Sequence, residues 1–272
     1  VTGFAAFLER FAFGAGFAPY EQARMARETG GVFFMLPSRE ANIVRGDKRK
    51  YELEKLKIYK PDLRARVQVI RDRDEYPLRR FIWQVVNDLN PHVQRDKAVE
   101  LRHTYSKDPQ KFLAEARAEQ RKATLLLQYL GEAQIVLEKA AIHREQEPEP
   151  RWQANYDLMM AQVVAYQARA YEYGSFLEAF IQNPPPFALN KAPNLTLNHF
   201  HIRTKTQVTS KDSLPYIEKS NELFKIVQQN HPGTPWAARA EWEMKRGFGI
   251  DITPVYYGPP TTTQVTTPVP KL

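Results

Sequence analysis

The sequence predicts a mainly α-helical fold: a long antiparallel, coiled-coil-like helical hairpin, a short C-terminal helix pair of tetratricopeptide type, and a small α/β remnant at the N-terminus. Three observations carry this expectation. Two long apolar stripes alternate three- and four-residue spacings, a proline-bearing segment separates them, and one short continuous apolar run follows a Gly-Gly pair.

In chain order, Pro19 suits a first helical turn and Tyr20 to Glu28 is rich in helix formers. Gly30 and Gly31 stop that helix, and Val32, Phe33, Phe34, Met35 and Leu36 form the run of a strand covered on both faces. Such a strand needs neighbours, so residues 1–45 read as the closing edge of an α/β domain whose earlier part lies upstream of Val1. Residues 46–107 read as a basic helical connector of short helices interrupted at Pro61 and Pro77. Its apolar face comprises Phe81, Ile82, Val85, Val86 and Leu89, and a further short helix is expected at about 94–105.

Residues 108–183 hold the hairpin. Asp108 is placed to cap its first helix with Pro109 in the opening turn. Ala116, Ala123, Leu130 and Leu137 recur every seven residues, and Leu126, Ala133 and Ala140 interleave with them. The second stripe runs Trp152, Tyr156, Met159, Val163, Tyr166, Ala170, Tyr173, Leu177, Phe180. The two prolines between Glu145 and Arg151 supply the turn, and the small residues of one stripe leave room for the aromatics of the other.

Pro184, Pro185 and Pro186 end the second helix. Residues 184–210 read as a loop or small β-hairpin, with Leu195, Leu197, His199, His201 and Thr204 loosely alternating. Residues 211–250 read as a helix pair, amphipathic through Tyr216, Leu223, Phe224 and Val227, turned at His231 to Pro235 and resumed at Trp236 to Arg246. No second copy at a fixed period accompanies the pair, so a solenoid is not expected. Residues 251–272 are expected to be a disordered tail, poor in charge beyond Pro259 and rich in Thr, Pro and Val.

Composition narrows the chemistry. With no cysteine, thiol catalysis, iron–sulfur ligation and cysteine-based zinc sites are excluded. No apolar run is long enough to span a membrane, and the first residues lack the order of a signal peptide, so compartment is left open. The net charge is +8, and Arg45 to Arg80 holds thirteen Lys or Arg against seven Asp or Glu, which is +6 of it. Opposite charges alternate there, as in Asp72, Arg73, Asp74 and Glu75, the pattern of a solvated helix surface rather than a phosphate groove.

Three phrases carry a family resemblance: GFAPYEQARMARETGGVFFMLPSRE from Gly16, EPRWQANYDLMMAQVVA from Glu149 and HPGTPWAARAEWEMK from His231. In this order they resemble the C-terminal half of large von Willebrand factor A (vWA) domain-containing proteins of planctomycete-type bacteria, over roughly residues 16–250. The resemblance implies that the first phrase closes an A domain and the other two belong to the helical region after it. An A domain holds a divalent cation through an Asp-x-Ser-x-Ser strand. That motif is absent from this chain, so the resemblance assigns no metal ligand to any residue here.

His199 and His201 share a strand face, but no third ligand is evident beside them. His92, His103, His143 and His231 read as capping, surface or core residues. There is no Gly-x-Ser-x-Gly elbow and no glycine-rich phosphate loop, and Glu145, Glu147 and Glu149 lie in a wet, proline-bearing turn. Trp152, Tyr156, Tyr166, Tyr173 and Phe180 are the interaction candidates, with hairpin core as the first reading of their helical period. The expectation is a non-catalytic structural or protein–protein interaction module without catalytic, cofactor or metal residues. Its partner would be another protein or its own upstream A domain. The alternative is nucleic-acid binding through residues 45–80.

Overall fold

The computed structural model describes Met25, residues 53–60, Gln68, Arg71, residues 73–89, Val99 and residues 101–183, 190–192 and 194–258. The expected strand at Val32 to Leu36 and residues 259–272 lie outside the described residues. So does the helix of Tyr20 to Glu28, apart from Met25, which is helical.

The described chain is mainly helical, with α1 Leu53–Leu56, α2 Pro77–Asp88, α3 Pro109–Ala140, α4 Pro150–Gln182, α5 Leu214–Asn230 and α6 Pro235–Arg246. Each of these helices longer than a turn carries a proline in its first turn, where no backbone N–H is needed and the fixed φ already suits a helix. At α3 the Asp108 carboxylate accepts from the Gln110 and Lys111 N–H groups at 2.9 Å each, the cap that the sequence indicates. Thr234 caps α6 by accepting from the Ala237 N–H at 3.4 Å.

Helices α3 and α4 run antiparallel. The Tyr156 hydroxyl donates to the Leu137 carbonyl at 3.0 Å, Gln167 to Gln134 at 2.6 Å, and Gln120 to Glu178 at 2.8 Å. The two sequence stripes meet across this seam, where Ala116, Ala123, Leu130, Ala133, Leu137 and Ala140 are buried and Leu126 is half-buried. One expectation needs correcting. Helix α4 is not apolar on one stripe: Trp152 and every residue from Ala154 through Ala170 are buried, including Leu158, Ala161, Val164 and Ala168 on its far side. It is the axle of the fold, packed against α2, α3, α5, α6 and the sheet. A helix covered on all sides buries its polar residues too, here Asn155, Asp157, Gln162, Gln167, Arg169 and Glu172, which must find partners, while each fully buried Leu or Val adds about 1.5–3 kcal/mol.

The basic connector also enters the core, because Leu78, Ile82, Trp83, Val85 and Val86 of α2 pack with Leu137, Trp152 and Met159. The helix expected at about 94–105 is corrected at its end, since Thr104–Ser106 is strand β1. Strands β2 Asn190–Ala192 and β3 Leu195–Lys205 form the expected hairpin, but β3 is also the centre of a wider sheet. Strand β4, Gly249–Tyr257, pairs along one edge of β3, and β1 and β2 lie end to end along the other, all antiparallel. The expectation of a disordered tail from 251 is therefore wrong for residues 251–257. A register shift between Leu197 and His199 turns Leu197, Phe200 and Ile202 to the same inner face. That face packs with Ile250 and Ile252 onto Phe112, Ala116, Tyr173, Leu177 and Phe180 of the two long helices.

Candidate functional site

The five interaction candidates are all buried, and they do not converge on one surface. Trp152 packs near Trp83 and Arg79, and Tyr166 sits against Glu243. Phe180 joins Phe112, Phe176 and Phe200 under the sheet. Tyr173 donates to the Arg102 carbonyl at 2.8 Å, so the 2.5 Å contact between the Tyr105 and Tyr173 hydroxyls uses the Tyr105 proton. Tyr156 alone reaches an open feature.

That feature is a groove between the C-terminal end of α3 and α5, floored by α4. Glu138, Ala141, Tyr156, Asp157, Met160, Leu223 and Ile226 enclose about 190 Å³, mostly against carbon. On α3 the exposed Ile135 stands one turn before Glu138, and Ile142, 73% exposed, follows Ala141 directly. On α5 Lys219, Leu223 and Ile226 share a face at spacings of four and three. Lys219 reaches Glu138 across the groove at 3.1 Å, and the Gln134 amide, followed by this contact, holds the Glu138 carboxyl below its usual range.

Behind the groove lies a polar relay that the sequence reading missed. Asp157 accepts from Arg144 through Nε and Nη2 at 2.6 Å each, from His231 Nε2 at 2.9 Å and from Asn230 at 3.4 Å. His231 Nδ1 meets the Tyr59 hydroxyl at 2.9 Å. Burial alone raises the Asp157 carboxyl, but the hydrogen bonds from Arg144 and His231 outweigh it and hold the group below its ordinary value. Burial raises the Tyr59 phenol, which stays a donor. With an ionised carboxylate at one end and a phenol proton at the other, an imidazole protonated on Nε2 satisfies both contacts. Both Asp157 oxygens have donors, Oδ1 one and Oδ2 three, so the relay suits positioning rather than proton transfer. The signal in the sequence was His231 followed by Pro232, Gly233 and Thr234. Gly233 takes φ 74°, and the Thr234 hydroxyl donates back to the His231 carbonyl at 2.6 Å, fixing the imidazole at the end of α5.

His199 and His201 occur on the open face of β3, where His199 bonds its neighbour Asn198 at 2.9 Å and meets the Tyr257 ring edge-on. Among the described residues no three His, Cys, Asp or Glu side chains come together as metal ligands. His143 stacks on Phe81, and Glu147 is buried in a bidentate pair with Arg79 at 2.5 and 2.9 Å. Arg79 belongs to the basic stretch, and this pair removes it from any phosphate surface. No helix among the described residues is long and apolar enough to cross a membrane. Comparison of the chain with protein-family models, with characterised proteins and with solved structures gave no match in any of the three.

Proposed function

We propose that this chain is a non-catalytic protein–protein interaction module whose groove between α3 and α5 receives the apolar face of a partner's amphipathic helix. The observation that carries this reading is an apolar groove of about 190 Å³ lined by Ala141, Met160, Leu223 and the exposed Ile226, with exposed Ile135 and Ile142 on the adjoining surface of α3 and the turn after it. Two roughly parallel helical walls over a helical floor suit a third helix, whose ridge of side chains fills such a channel. Glu138 on one wall and Lys219 on the other give that helix polar partners at its flanks.

The finer reading joins the coiled-coil-like hairpin, the tetratricopeptide-like pair α5–α6 and the resemblance to A-domain proteins. In it the helical body follows a von Willebrand factor A domain and docks a protein near it. The buried relay of Asp157, Arg144, His231 and Tyr59 keeps the groove's floor and end in register.

The test is a benzophenone photo-crosslinker at position 142, with position 110 at the exposed far end of α3 as control. The adduct is mapped by peptide mass spectrometry. The expected result is one helical partner segment captured at 142, absent at 110, and lost in Ile226→Glu. No adduct at 142, equal capture at both positions, or an adduct indifferent to Ile226→Glu would sink the reading.

A further inference from the structure

Three guanidinium groups, Arg169, Arg239 and Arg246, surround the single, fully buried carboxylate of Glu243. That carboxylate is engaged at both oxygens. Its Oε2 accepts from Arg169 at 2.7 Å, and its Oε1 accepts from Arg239 at 2.7 and 3.0 Å, from Gln162 at 3.1 Å and from Tyr166 at 3.4 Å. Arg169 spends its other donors on the carbonyls of Glu243 and Gly247, at 3.2 to 3.5 Å. Arg246 makes no hydrogen bond or ion pair with any described residue, and its guanidinium lies 5.3 Å from the centre of the Trp242 ring. Arg239 lies over the same ring at 4.3 Å, and Trp242 is 38% exposed. These four groups carry three positive charges and one negative, and Arg246 lies half-buried beside the exposed Trp242. Burial, then repulsion from Arg169, holds the Arg246 guanidinium below its ordinary pKa, while Glu243 acts in the opposite direction.

The end of β3 lies beside this cluster, because Lys205 pairs with Gly249 three residues after Arg246. Arg203 is exposed there, and Lys205 reaches Asp251 only at 3.9 Å. Several incompletely neutralised cations next to a flat aromatic and stacked guanidinium planes match a chain of phosphates carrying accessible base faces. A duplex hides those faces. A lone phosphate between Arg239 and Arg246 would leave Arg203, Lys205 and the Trp242 ring unused.

We propose that the α6 end and the β3 end together bind single-stranded nucleic acid, with one phosphate between Arg239 and Arg246, neighbouring phosphates at Arg203 and Lys205, and a base against Trp242. This surface shares no residue with the α3–α5 groove and stands or falls independently of it.

The experiment is fluorescence anisotropy of the full chain with a labelled oligothymidylate of about 20 nucleotides, titrated from about 50 to 200 mM salt. The expected result is binding that weakens with salt, about tenfold weaker in Arg246→Gln, with the log–log salt slope shallower by about 0.7 for the one lost phosphate. Arg203→Gln, outside the Glu243 cluster, should shorten the slope similarly. Trp242→Leu should weaken binding without changing the slope, and Arg80→Gln in the basic connector should bind like the parent. Thermal melting of each variant separates a folding defect from a lost contact. Absence of binding at about 50 mM salt, or parental binding by both folded arginine variants, overturns the proposal. A larger loss in Arg80→Gln than in Arg246→Gln also overturns it, and moves recognition to residues 45–80.

Discussion

The carboxylate of Asp157, about two turns into the central helix, and the imidazole of His231, at the end of α5, meet at 2.9 Å across a sequence separation of 74 residues. Each completes the other's hydrogen bonding. Arg144 from the hairpin turn and Tyr59 from the connector extend the pair, so one buried acid ties four separate segments together.

Removing that charge tests how much of the fold depends on it. Asp157→Asn keeps the size but presents an amide N–H₂ to donors, and leaves Arg144 and His231 to share one uncharged amide oxygen. The expected loss is about 3–5 kcal/mol, the cost of breaking a buried pair, read from urea unfolding midpoints. A loss below about 1 kcal/mol would mean that solvent replaces the carboxylate and the relay is not a tether.

Acid should act on the same group. Asp157 and Glu243 are both held below their ordinary values, 3.8 and 4.5, by arginine partners that outweigh the effect of burial. In the window between folded and unfolded pKa the unfolded chain binds more protons, so their stabilisation is complete above the ordinary values and disappears as pH falls through the folded ones. Urea midpoints should plateau above about pH 5 and fall below it, with a flatter fall in Asp157→Asn. A midpoint constant down to about pH 3, or rising, would contradict the assignment.

Two glycines should respond in opposite directions to alanine. A Cβ on Gly249 would stand 1.8 Å from the Gln207 carbonyl oxygen, a backbone atom, whereas a Cβ on Gly131 in α3 meets nothing within 4 Å. Gly249→Ala should cost at least about 2 kcal/mol by forcing β4 away from the 205–207 turn. Gly131→Ala should stabilise α3 by about 0.5–1 kcal/mol. Thermal melting of the two variants decides it: a neutral Gly249→Ala would show that β4 is not held there.

Much of the helical architecture was legible in the residues. The Asp108–Pro109 start, the seven-residue recurrence from Ala116 to Leu137 and the Glu145–Arg151 turn are local signals, and the structure carries all three. A strand at Leu195 to Thr204 was legible in the alternation, but the register shift between Leu197 and His199 breaks that alternation, so Phe200 and Ile202 rather than the two histidines share the inner face with Leu197. Strand β4 was not legible. The expectation for residues 251–257 is a disordered tail, with Pro254 interrupting any strand pattern, and they form a strand because β3 offers a complementary edge.

The candidate site divides in the same way. Tyr156, Tyr166 and Tyr173 could be read as one aromatic stripe from spacing, but spacing does not tell which side of a helix has a partner. The tertiary structure surrounds α4, buries all three tyrosines and leaves the open feature beside Tyr156 alone. The groove, the relay from Asp157 to Tyr59 and the arginine cluster at Glu243 each join residues far apart in sequence. By itself the sequence determined where helices start, turn and stop, because caps, prolines and apolar periods act within a few residues. Only the tertiary structure decided which faces are covered and which charges lack partners, because those depend on contacts between segments that no local pattern encodes.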